Sequence, residues 1–79
     1  MPKGGLSFSE AFVAELSSCS IGSGNEFHLL QLLERMEVTE GHHRLIEAIQ
    51  ARISVMSYDH HVEMAQDIVR NLRKEVSDK

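Results

Sequence analysis

The sequence predicts an all-α fold: a small four-helix domain with a C-terminal antiparallel helical hairpin. Three observations carry this. Apolar residues recur at helical spacing in four segments, no segment alternates with the period of a strand, and the segments are separated by Gly, Ser and Thr. Residues 7–79 read as one domain, with residues 1–6 a flexible lead containing Gly4-Gly5.

Ser7-Phe8-Ser9-Glu10 has the spacing of a capping box, in which the serine and glutamate side chains satisfy free backbone donors. A first helix is expected from about Phe8 to Ser18, with Phe8, Phe12, Leu16 and Cys19 on one face. The serine- and glycine-rich stretch from Ser17 to Gly24 is a poor helix former and reads as a loop. Ser23-Gly24-Asn25-Glu26 offers a second capping box, with Asn25 a competing cap.

A second helix is expected from Glu26 to Glu37, and its apolar arc is unusually wide. Leu29, Leu30, Leu32, Leu33 and Met36 span ~160° at ~100° per residue, where a stripe of ~100° suffices for one buried side. Val38-Thr39 breaks this helix, with Thr39 as a cap for the third, expected from about Glu40 to Met56. Leu45, Ile46, Ile49, Ile53 and Met56 form its stripe, and Gly41 weakens its first turn. Ser57-Tyr58-Asp59 reads as a short connector with Asp59 as cap. The fourth helix runs from His60 to about Val76, with Val62, Ala65, Val69, Leu72 and Val76 at coiled-coil spacing and Ile68 beside them. So short a connector makes the last two helices an antiparallel hairpin.

Composition narrows the function. A chain of 79 residues sits where a single core supplies only ~3–5 kcal/mol, and the lone Cys19 excludes an intrachain disulfide. Association with a second chain is then the simplest further source of stability. A net charge of -4 works against broad nucleic-acid binding, which needs clustered cations. No run of 18 apolar residues is present, the N-terminus lacks a secretory pattern, and one unpaired cysteine suits a reducing compartment. The expectation is a cytoplasmic protein with no membrane partner.

Five histidines invite a metal hypothesis, because four occur as His42-His43 and His60-His61. The geometry opposes it. Each pair opens its own helix of an antiparallel hairpin, which puts them roughly 25 Å apart. Neighbours on a helix also diverge by ~100° and chelate poorly. Asp59, His60 and Glu63 could form only a weak surface site. His42 and His61 fall on the apolar side and are candidates for pH-sensitive association. Cys19 lacks an assignable base and oxyanion site, and Glu34/Glu37 and Glu37/Glu40 read as solvated carboxylates. Neither an enzyme nor a cofactor is expected. The second and third helices could form a helix-turn-helix, with Arg70, Arg73 and Lys74 as phosphate contacts. The first turns of the would-be recognition helix, however, hold Arg44 as the one permanent cation.

The apolar surplus of the second helix is therefore the leading functional signal. It predicts a non-catalytic adaptor or regulatory domain that binds another protein, or a second copy as a homodimer, with Leu29, Leu32 and Met36 at the interface. The competing expectation is that the short first helix covers this surplus within one chain.

Overall fold

The structure is a computed structural model, and it describes residues 7–77. The proposed lead, residues 1–6, lies outside the described residues. Four helices form in order: α1 (Phe8–Ser18), α2 (Gly24–Arg35), α3 (His42–Ile53) and α4 (Asp59–Ser77). Among the described residues there is no strand.

The helices occupy the corners of a square. α1 packs on α2 and α3, and α4 packs on α2 and α3, while α2 and α3 face each other diagonally across the core without close backbone approach. The α3–α4 hairpin is the most extensive pairing and α1–α2 the sparsest. The shortest dimension of the molecule, 20 Å, corresponds to two helix layers. Phe12, Leu16, Leu30, Leu33, Leu45, Ile49, Ala65, Ile68 and Leu72 fill the space between the layers. Nearly every apolar position that the helical periodicity assigns to α3 and α4 is in this core or packed against it.

Local chemistry sets the helix ends. Ser7 Oγ accepts from the Glu10 amide at 3.3 Å, and Ser23 Oγ accepts from the Glu26 amide at 3.2 Å. Ser23 is thus the cap of α2, which begins at Gly24, two residues ahead of the expected Glu26. α2 also ends early, at Arg35. Met36 turns extended so that Val38, 8% exposed, can enter the core.

The start of α3 differs from expectation as well. Thr39 is exposed and is not the cap; Gly41 is, with φ +78 in the left-handed region. A Cβ at Gly41 would overlap the side chain of the buried Ser9, so the start of α1 seats directly on this glycine. α3 stops at Ile53 rather than Met56, closing with tight bonds from the Val55 amide to Arg52 O and from the Met56 amide to Ile53 O. The connector to α4 is accordingly 54–58, and Asp59 lies inside the first turn of α4.

Candidate functional site

Two features stand apart from ordinary core and surface. The first is the outward flank of α2. Leu30 and Leu33 point into the core at 0% and 3% exposure, whereas Leu32 and Met36 remain 43% and 44% exposed. Leu29 is half-buried and packs against the core. Of the three residues expected at an interface, Leu32 presents apolar surface on α2, Met36 does so just past its end, beside a hollow lined by Leu33, Val38, Ile68 and Leu72, and Leu29 is half-buried. α1 covers part of the wide arc but leaves this flank open.

The second feature is a buried polar cluster at the opposite end of α2. Glu26 is fully buried, and its carboxylate collects donors from three elements. His61 Nδ1 of α4 lies 2.7 Å from Oε1, Arg52 Nε of α3 donates to Oε2 at 2.7 Å, and the Gly22 amide donates to Oε1 at 2.9 Å. The carboxylate is an acceptor only, so the His61 contact is an Nδ1–H donation. Arg52 Nη2 extends the cluster to α1, donating to the Cys19 carbonyl at 2.7 Å and approaching its Sγ at 3.4 Å. Burial alone would raise the Glu26 carboxyl, but the bonds from His61, Arg52 and Gly22 and the guanidinium charge outweigh it and hold it below its ordinary value of 4.5.

An aromatic cap closes this end. His61 lies 5.4 Å from both Phe27 and Tyr58 between ring centroids, and His60 stacks edge-on at 4.6 Å. Tyr58 also rests on Gly22, which has φ +75.

Sequence reasoning noticed His61 on an apolar face but missed the cluster, reading Glu26 only as a cap residue. A signal was present. Glu26 continues the Leu30 and Leu33 stripe by i, i+4, i+7 spacing, and Arg52 continues the Leu45 and Ile49 stripe in the same way. Two opposite charges at core register call for each other, because a buried charge needs a partner.

The histidine pairs are separated, as an antiparallel hairpin requires. His42 Nε2 lies 2.7 Å from Glu75 Oε1 near the far end of α4, while His61 sits in the Glu26 cluster. Among the described residues, no three His, Cys, Asp or Glu side chains converge as metal ligands. Cys19 is half-buried, with its thiol donating to Leu16 O at 3.3 Å. α2 and α3 lie diagonally opposite and meet through side chains, the Arg52–Glu26 contact among them. Of the tail cations, Arg70 pairs with Asp67 at 2.9 Å, and Arg73 and Lys74 line separate shallow hollows. No helix is long and apolar enough to cross a membrane among the described residues.

No protein family, curated protein sequence or solved structure matches the chain.

Proposed function

We propose that this protein is a non-catalytic association module that acts through the open flank of α2, as an adaptor or regulator does. The observation that carries the reading is the exposure of Leu32 on α2 and of Met36 just past its end, while Leu30 and Leu33 of the same helix are in the core and Leu29 packs against it. The chain buries Leu30 and Leu33 with neighbours of its own and leaves a flexible methionine and a leucine outside, a combination suited to an adaptable protein contact. The buried polar cluster has a structural part in this reading. It fixes α2 against α3 and α4 and so presents the flank on a rigid element.

Met36 supplies the test, because peroxide oxidises an exposed methionine and a covered one reacts slowly. Oxidation of Met36 should be several-fold slower in cells that natively make the protein than in the dilute purified chain. The half-buried Met64 serves as internal reference. Equal relative rates in the two settings would reject association through this flank.

A further inference from the structure

We infer that Glu26 and Arg52 form an acid-released latch on the 19–23 connection: protonation of the buried carboxylate frees Arg52 and opens this connection while the four helices stay folded. The device is separate from the flank of α2. Packing holds the connection only weakly. None of residues 19–23 is fully buried; Ile21 is exposed, and Cys19 packs on the core only in part. Ser23 bonds back to Ser20 within the connection. Beyond the local bonds at its junctions with α1 and α2, two contacts fasten it. The Gly22 amide donates to Glu26 Oε1 at 2.9 Å, and Arg52 Nη2 of α3 donates to the Cys19 carbonyl at 2.7 Å. Both run through the Glu26–Arg52 pair. The Tyr58 ring that rests on Gly22 is half-exposed.

Three N–H donors converge on the Glu26 carboxylate: His61 Nδ1 of α4 and the Gly22 amide on Oε1, and Arg52 Nε on Oε2. A proton on Oε1 would face two donors. On Oε2 it faces Arg52 alone, so uptake there breaks the fewest bonds. It also removes the charge that balances the guanidinium, and an unbalanced buried cation is unfavourable. Arg52 has a way out, because it borders a hollow of about 350 Å³ beside Ser17, Ala51 and Val55. Turning into that hollow withdraws Nη2 from Cys19. His61 donates through Nδ1 whether or not its other nitrogen carries a proton, so its own titration leaves the set intact. The other titratable neighbours are His60 and Tyr58 around His61, and Glu15 and His28 beside Cys19. Among the described residues none of these bonds to Glu26 or Arg52. Although burial opposes it, donation from His61, Arg52 and Gly22 holds the Glu26 carboxyl below 4.5. The latch is therefore closed at neutral pH and releases as pH falls through that lowered value.

The reactivity of the Cys19 thiol reads the opening. A dipyridyl disulfide is a suitable probe, since thiols attack it even in acid. Rates are taken relative to the chain unfolded in urea at the same pH, which cancels the pH dependence of the reagent and of the thiol. On that scale wild-type Cys19 should become about tenfold more reactive from pH 7 to pH 3 while circular dichroism still reports full helicity; about tenfold is what losing a hydrogen bond to a charged group allows. Arg52→Gln should be close to the acid level already at pH 7 and gain little further. Glu75→Gln, which removes a carboxylate near the far end of α4, should keep the wild-type profile. A thiol that stays protected until helicity is lost would overturn the latch, because the chain then opens as one unit. An Arg52→Gln chain with the wild-type acid response, or a Glu75→Gln chain without it, would overturn it too. Should Arg52→Gln fail to fold, the wild-type and Glu75→Gln profiles decide alone.

Discussion

At the scale of a residue, Glu26 is the most consequential position in the chain. Its carboxylate is fully buried and is the meeting point of Gly22, Arg52 and His61. Removing one partner of a buried charge pair commonly costs ~3–5 kcal/mol, since the remaining charge has no solvent to return to. Glu26→Gln should therefore lower the urea midpoint strongly at pH 7. The sign of the pH dependence follows from the direction of the shift. A carboxyl held below 4.5 in the folded state binds its proton more readily in the unfolded chain. Its contribution is fully present above 4.5 and disappears as pH falls through the lowered folded value. The stability gap between wild type and Glu26→Gln should thus be widest at neutral pH and narrow below 4.5. A gap that stays constant from pH 7 to pH 3 would show that the carboxylate charge is not what stabilises the cluster.

At the scale of the element, the helices were legible because apolar periodicity marks all four and capping agrees with it in α1 and α2. Ser7 and Ser23 act as the caps their spacing announces, and the stripes of α3 and α4 become the core. The ends that shifted did so for tertiary reasons. Val38 leaves α2 to be buried, and Gly41 replaces Thr39 as the cap because its left-handed backbone lets Ser9 of α1 sit against it. Neither is visible in a local window, since each depends on a segment distant in sequence. Gly22 offers a comparison, having a similar φ of +75 with the Tyr58 ring 2.9 Å from where a Cβ would lie. A left-handed conformation costs a non-glycine residue roughly 1–2 kcal/mol at either site. Tyr58, however, is half-exposed and can swing away, whereas Ser9 is buried on a packed helix. Gly41→Ala should consequently destabilise more than Gly22→Ala, a ranking that denaturant titration of the two variants checks directly; equal losses would mean that the α1 contact yields.

At the scale of the whole molecule, the question raised by the wide arc of α2 receives a divided answer. The periodicity of that helix gave the amount of apolar surface, but not which part neighbouring helices cover, because that depends on the square arrangement of all four. Leu30 and Leu33 face inward, and Leu32 does not. Two substitutions two residues apart should therefore act at different levels of organisation. Leu30→Ala opens a cavity at a site with no exposure and should cost ~2–5 kcal/mol, a large part of the ~4–12 kcal/mol expected for a domain of this size. Leu32→Glu places a carboxylate where the side chain already meets water and should leave the melting temperature of the dilute monomer within a few degrees. The separation shows at high concentration. If the partner of this flank is a second copy, association adds stability by mass action, and the wild-type melting temperature should climb with protein concentration while that of Leu32→Glu stays flat. If Leu32→Glu instead unfolds the dilute chain, the outer flank of α2 belongs to the core and the chain keeps no apolar surface there for a partner.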